Sequence, residues 1–223
     1  MLELGVKFLI SYFIGSLMGA MIVGKLRGGI DIRTMGSGNA GGTNALRTQG
    51  FMFAFAVVVV DVGKGILGAG VIPSLELSFV PTDPAISRTW LTLCCAAAVV
   101  MGHVWPIYHD FKGGKGAATL IGTLVVLGPM LIIGVLFIWI LVVVVSGYVG
   151  LASMMAASAV PAWLAVTHLP DDQPLVIYCT FMALFIIYCH RANIQRMREG
   201  TELRNPRFML FSRKRAQGDD DRS

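Results

Sequence analysis

Phe111-Lys112-Gly113-Gly114-Lys115-Gly116 places two cations and three glycines in six residues, with long apolar runs on either side. Bare backbone and charge need partners, so this stretch is not core. The partner that suits both is an anion, held by lysine ammonium groups and glycine N–H groups at a helix start. In that reading Lys115 is the point charge, Lys112 assists, and Gly113, Gly114 and Gly116 let the backbone approach. A P-loop is excluded because Gly116, and not Ser or Thr, follows Lys115. Two lysines alone could anchor the chain to anionic lipid. The interleaved glycines favour a ligand.

A second stretch has the same character. Gly36-Ser37-Gly38-Asn39-Ala40-Gly41 fits the dinucleotide fingerprint in letters only, since an apolar helix and not a strand precedes it. Extended to Gly42-Thr43-Asn44-Ala45-Leu46-Arg47, it reads as an anion-binding nest. Gly38 and Gly41 free the backbone. Ser37, Asn39, Thr43 and Asn44 bring hydroxyl and amide groups, and Arg47 brings a planar fork for phosphate oxygens. A third segment, His190-Arg191-Ala192-Asn193, begins where an apolar run ends. His190 and Asn193 share a helix face. His190 could serve as general acid or base, or could hold a loop in place. His103 has the character of a structural hydrogen-bonder and is carried as a substrate-side candidate. Asp61 and Lys64, three apart in an apolar run, form an internal ion pair. His109 and His168 are read as surface residues. Ser37 and His190 could approach each other, but no Ser-His-Asp triad, metal site or cofactor motif is present.

The elements that must position these residues are membrane helices. The chain has 223 residues, 55% hydrophobic and 14% charged, with a net charge of +5 and a mean hydropathy of +0.71. That is a polytopic membrane protein. Cys94, Cys95, Cys179 and Cys189 all sit in apolar runs and read as small hydrophobes. Spans are expected at Leu4 to Val23, Phe51 to Ile72, Arg88 to Ile107, Val149 to Thr167 and Pro174 to Cys189. Apolar residues continue past Gly19-Ala20, which argues against signal cleavage there. Gly15 and Gly19, four apart, suit close helix packing.

Lys25, Arg27 and Arg33 follow the first span, which places that end in the cytoplasm and Met1 outside. The tail after Cys189, with Arg191, Arg196, Arg198, Arg204, Arg207, Arg213, Lys214 and Arg215, is also cytoplasmic and faces anionic headgroups, not nucleic acid. Ala117 to Ser146 must then go in and come back, with its break at Gly128-Pro129. Its first arm, roughly 18 Å of helix, is too short for a ~30 Å core. The expectation is an all-α seven-helix transmembrane bundle, N-terminus outside and C-terminus cytoplasmic. It forms one catalytic domain over residues 1–210, followed by a charged, disordered tail at 211–223. All three polar segments fall on the cytoplasmic side.

Taken together, Gly36 to Arg47, Gly102-His103-Val104-Trp105-Pro106 through Gly116, and His190 to Asn193 through Gly200-Thr201-Glu202 resemble the bacterial acyl-phosphate-dependent glycerol-3-phosphate acyltransferases. The resemblance runs to about Glu202. It implies an enzyme of the bacterial cytoplasmic membrane that moves an acyl chain from acyl phosphate to the sn-1 hydroxyl of glycerol 3-phosphate. The products are lysophosphatidic acid and phosphate, in the first step of phospholipid synthesis, and no cofactor is implied. The implied partners are the two substrates, membrane lipids and the soluble enzyme that makes acyl phosphate. The resemblance makes Ser37 and Arg47 functional, links Lys115 and its glycines to glycerol phosphate, and maps the third motif's His and Asn onto His190 and Asn193. Two positions depart from it. Gly42 replaces the usual Ala of the first motif. Ala192 replaces a usual Glu, so a carboxylate there would have to come from Glu199 or Glu202.

The residue types suit the reaction. Two phosphorylated substrates need two anion sites, and acyl phosphate carries its own leaving group, so positioning and charge neutralisation suffice. A transporter for organic phosphates would show polar elements reaching both faces. A lipid-binding scaffold would explain the basic tail but not the glycine loops.

Overall fold

The computed structural model describes residues 1–204, and its regular structure is helical. The predicted boundary at 210 and the disordered tail at 211–223 lie outside the described residues. Ten α-helices follow in order: α1 Leu2–Ser16, α2 Gly19–Leu26, α3 Gly42–Gln49, α4 Phe51–Ile66, α5 Arg88–Val104, α6 Ala117–Leu127, α7 Leu131–Ser146, α8 Val149–Thr167, α9 Gln173–Cys189 and α10 Arg191–Arg198. Helix α4 continues through a wider π turn at Leu67–Val71 and a 3₁₀ turn at Ile72–Ser74.

Three helical stretches are long and apolar enough to cross a membrane: Phe51–Ser74, Arg88–His109 and Val149–Thr167. Two bent pairs, α1 with α2 (44°) and α9 with α10 (53°), pass the same test as units, while α6 and α7 are shorter apolar helices. The break between α6 and α7 falls at residues 128–130, where Gly128-Pro129 was expected to interrupt the run. Proline lacks the N–H to continue a helix and restricts the residue before it.

The first span departs from expectation. It does not run unbroken from Leu4 to Val23, because Leu17 and Met18 are extended, with ψ of 96° and 124°. Neither residue is a helix breaker, so the cause is tertiary. Near its N-terminus, α1 carries two charges, Glu3 and Lys7, and both are buried. Glu3 accepts from Lys7 at 2.9 Å and from both Arg88 Nη atoms at 2.7 and 3.0 Å, and Lys7 also donates to Pro73 O at 2.8 Å. This network ties the start of α1 to the loop before α5.

Small residues set the packing. A Cβ on Gly15 would collide with Val99 O, and one on Gly102 with Tyr12 O, so α1 and α5 touch backbone to backbone. Gly65 and Gly122 do the same for α4 and α6. Val99, Val100, Leu120, Leu124, Met182 and Ile186 fill the main core between α5, α6 and α9. There Thr123 Oγ1 and Tyr178 Oη satisfy each other at 2.8 Å.

Candidate active site

A cavity of about 700 Å³ opens between α3, α4, α6, α8 and the segment after α10. Its polar lining includes Ser37, Asn39, Arg47, Lys115, His190 and Asn193. Its apolar lining includes Leu46, Phe55, Val58, Ile121 and Trp139. Three segments far apart in sequence thus share one chamber.

The first motif is shaped by Asn44, which is 1% exposed. Its Oδ1 accepts from Ser37 N at 2.9 Å, and its Nδ2 donates to Ile32 O at 2.8 Å and Met35 O at 3.0 Å. All of these bonds hold the loop, which then presents Ser37, Asn39 and Thr43 to the cavity. Gly36 has φ +57°, and a Cβ there would run into Asn44 Oδ1, so only glycine fits this turn. Gly41 caps α3, and Arg47 follows on that helix, exposed at the rim. Among the described residues no ion pair engages Arg47. Gly38 does not line the cavity; its N–H closes a turn on Met35 O at 3.0 Å.

The lysine-glycine loop is arranged differently from the sequence expectation. Lys112 is exposed, Gly113 half-buried and Gly114 buried, and none of the three lines the cavity. Their N–H groups are already used. Lys112 N donates to His109 O at 3.0 Å, Gly113 N to Val104 O at 3.2 Å and Gly114 N to His103 O at 3.1 Å. The two glycines lie flat on the end of α5, because a Cβ on either would strike His103. What reaches the chamber is Lys115, Gly116 and the first residues of α6, where unpaired N–H groups and the positive helix end gather.

Lys115 Nζ donates to Asn193 Oδ1. Asn193 Nδ2 donates to Glu202 Oε1 at 2.6 Å, and Arg196 Nε donates to Glu202 Oε2 at 2.6 Å. The result is a chain of cation, amide, carboxylate and cation. With Arg47, the cavity lining carries three cations, and the carboxylates there are those of Glu202 and Asp61. Lys115 lies in the loop, outside the spanning segments. Burial first, and then the nearby Arg196 charge, push its pKa down from 10.5 to about 8. Such a buried ammonium gains from a phosphate partner.

His190 sits at the joint of α9 and α10. Its Nδ1 donates to Ile186 O at 2.8 Å, because a carbonyl can only accept. The proton is therefore on Nδ1, and Nε2 carries the lone pair. Burial pushes its pKa down to about 4, so it is neutral at pH 7. Asn193 packs on Gly150 of α8, where a Cβ would crowd its amide. Beyond α10, Arg204 Nε donates to Tyr148 Oη at 2.8 Å and its guanidinium stacks on that ring, which fixes Thr201, Glu202 and Leu203 over the cavity.

Sequence reasoning did not assign Arg196, Thr201, Trp139 or Asp61 to the site. Arg196 was detectable, since it lies three residues from Asn193 on one face of α10. Of the two carboxylates considered in place of a Glu at position 192, Glu202 accepts from Asn193, whereas Glu199 accepts from Gln195 at the surface. Asp61 and Lys64 pair at 3.1 Å as expected, and His103 joins them, its Nδ1 lying 2.8 Å from Lys64 Nζ. No cluster of three or more His, Cys, Asp or Glu suited to a metal occurs among the described residues.

The glycerol-3-phosphate acyltransferase family matches residues 6–200. A glycerol-3-phosphate acyltransferase of Chlorobaculum tepidum is 37% identical over 226 residues, covering 92% of this chain and 96% of that protein. One from Salinibacter ruber is 39% identical over 214 residues, covering 91% and 92%. Among solved structures, the glycerol 3-phosphate form of PlsY, an integral membrane glycerol 3-phosphate acyltransferase, superposes with a TM-score of 0.76 at 28% identity. It covers 91% of this chain and 95% of that one. The lysophosphatidic acid form of PlsY gives 0.74 at 28% identity, covering 90% and 94%.

Proposed function

This chain belongs to the glycerol-3-phosphate acyltransferase family and is a membrane enzyme of that activity, and on that premise we propose that it takes its acyl group from acyl phosphate and delivers it to the sn-1 hydroxyl of glycerol 3-phosphate. The observation that carries this reading is the mixed lining of one cavity, which brings Arg47, Lys115 and Arg196 together with apolar side chains of α3, α4 and α6. Both substrates bear phosphate, and one also bears a fatty chain. The two PlsY forms hold glycerol 3-phosphate and lysophosphatidic acid, a substrate and a product of the reaction assigned here.

Lys115 and the N-terminal N–H groups of α6 hold the phosphate of glycerol 3-phosphate. Arg47, Ser37 and the loop held by Asn44 receive the phosphate of the donor. The acyl chain lies along Leu46, Phe55, Val58 and Ile121, and Phe51 and Phe55 stack at 6.0 Å on the lipid-facing side of α4, where the chain enters from the bilayer. The hydroxyl oxygen attacks the acyl carbonyl carbon. The new ester bond forms as the bond from that carbon to the phosphate oxygen breaks, and inorganic phosphate leaves. His190 Nε2 and Asn193 orient the hydroxyl. With its pKa near 4, His190 is a poor sink for the released proton. A substrate phosphate, with a second pKa of about 6, is the better one, so no activated protein nucleophile is required. Positioning of two bound reactants is worth up to ~7–11 kcal/mol of barrier.

The membrane arrangement follows the charge pattern. Seven crossings or half-crossings, with Met1 outside and Arg191 to Arg204 in the cytoplasm, leave the cavity open to soluble glycerol 3-phosphate on the inner face. Purified protein in lipid vesicles should release inorganic phosphate when given acyl phosphate and glycerol 3-phosphate together. Equal turnover with an acyl thioester donor, or no release, would sink the donor assignment.

A further inference from the structure

The first apolar helix breaks at Leu17 and Met18 although nothing in its sequence demands it, and a buried ion pair stands at the break. Lys64 of α4 donates to Gly15 O at 2.8 Å and Leu17 O at 2.9 Å, carbonyls freed where α1 ends. Asp61, one turn earlier, accepts from Gly19 N at 3.1 Å, the first residue of α2. Each charge therefore meets the helix end whose dipole it complements, the cation at a C-terminus and the anion at an N-terminus.

The pair reaches further. An ammonium has three protons, and two of those on Lys64 serve the carbonyls. His103 Nδ1, at 2.8 Å, stands close to take the third, with Asp61 Oδ1 at 3.1 Å also near. His103 Nδ1 also lies 3.3 Å from Asp61 Oδ1, and its Nε2 is the atom against which Gly114 lies. Asp61, Lys64 and His103 are 1%, 4% and 3% exposed. Lys64 does not line the cavity. A self-sufficient ion pair would leave the carbonyls of Gly15 and Leu17 without partners inside a membrane protein, where backbone polar groups must be satisfied internally.

We propose that Asp61 and Lys64 form a two-ended cap on the break in the first membrane helix and, through His103, set the position of the loop that carries Lys115, which makes them positioning residues for acyl transfer. The proposal rests on the reading of Lys115 as a phosphate ligand. The pair explains three things at once: the break itself, the satisfaction of its backbone groups, and the fixed seat of Gly113 and Gly114 on α5.

The test compares Lys64→Met, the neutral double variant Asp61→Asn/Lys64→Met, the exchanged pair Asp61→Lys/Lys64→Asp, and Lys115→Met, each in lipid vesicles. Thermal unfolding is followed alongside the KM for glycerol 3-phosphate and for acyl phosphate. Replacing a buried ion pair by neutral groups is often tolerated, so the double variant should fold. Its KM for glycerol 3-phosphate should rise about tenfold, with the KM for acyl phosphate changed less than about twofold. The exchanged pair should be worse than the double variant, since each charge then meets a helix end of its own sign. Wild-type KM values in a folded double variant, or recovery of wild-type kinetics by the exchanged pair, would overturn the cap. Should the double variant fail to fold, Lys64→Arg, which keeps the cation, decides: a KM for glycerol 3-phosphate raised about threefold or more supports the positioning role, and an unchanged one ends it. If Lys115→Met leaves the KM for glycerol 3-phosphate unchanged, the site assignment falls. If it raises that KM while the Lys64 variants do not, only the cap does.

Discussion

The pH dependence of substrate binding puts the Lys115 assignment at most risk. Its ammonium is largely buried and its pKa falls from 10.5 to about 8, chiefly through burial and secondarily through Arg196. The difference is worth about 3 kcal/mol against the charged form in the folded protein. Above pH 7 glycerol 3-phosphate is already a dianion, because a phosphate monoester's second pKa is about 6. Any further pH effect on its capture must come from the protein. The cation is present below about 8 and lost above it, so kcat/KM for glycerol 3-phosphate should be level near pH 7 and about tenfold lower by pH 9, since kcat/KM reports ionisations of the free enzyme. Stability should move the opposite way. Between about 8 and 10.5 the unfolded chain holds this proton and the folded one does not, so this group's contribution to stability rises with pH across that window. The assay is glycerol 3-phosphate saturation, read by phosphate release from pH 7 to 10, for the wild type and Lys115→Arg. A guanidinium stays charged throughout, so the variant should start lower but lose no activity on the alkaline side. A wild-type profile flat to pH 9.5, or a variant that falls with the same midpoint, would refute the argument.

Arg47→Ala removes a rim guanidinium and its charge-assisted bonds, worth about 1.5–3 kcal/mol; one substrate's KM should rise ten- to a hundredfold in the same assay, and a KM unchanged for both would remove Arg47 from the site. Gly122→Ala drives a methyl into Val62 O. At about 1–3 kcal/mol of overpacking the detergent-solubilised protein should unfold roughly 5 °C lower, and no shift would mean that α4 and α6 yield freely. Trp139 lines the cavity and donates to Ser153 Oγ at 3.3 Å. Trp139→Ala should favour donors longer by two carbons by up to about tenfold, at ~0.8 kcal/mol per methylene, read as the ratio of kcat/KM for the two donors.

The sequence carried the local part of this architecture and missed the tertiary part. Gly128-Pro129 marks its own break because both residues act on their own backbone. Asp61 and Lys64 reveal their pairing through a spacing of three. Nothing local to either shows that they also hold Gly15 O, Leu17 O and Gly19 N, which lie more than 40 residues away. The break at Leu17-Met18 was hidden for the same reason: the residues there favour helix, and a distant ammonium decides otherwise. In the lysine-glycine loop both lysines were legible as candidates. Only the docking of Gly113 and Gly114 on α5 separates exposed Lys112 from Lys115. Arg196 was within reach of a helical-wheel argument and Glu202 was a candidate carboxylate beside Glu199, but their bond closes through the turn at Gly200, beyond the end of α10, where φ is +72°.

Helix α6 has 11 residues, about 16 Å of rise, against a hydrocarbon core of ~30 Å. Its N-terminus carries Lys115, so one wall of the bundle stops well short of a full crossing. Under the proposed assignment of Lys115 and of an acyl phosphate donor, a water-soluble substrate bound there and a lipid-anchored donor in the leaflet would meet at a common depth, and neither would have to leave its own phase for the reaction to occur. The reacting carbonyl is then registered by the bilayer as much as by the protein. Membrane thickness becomes a variable of catalysis, setting how far along its chain a given donor meets the attacking hydroxyl.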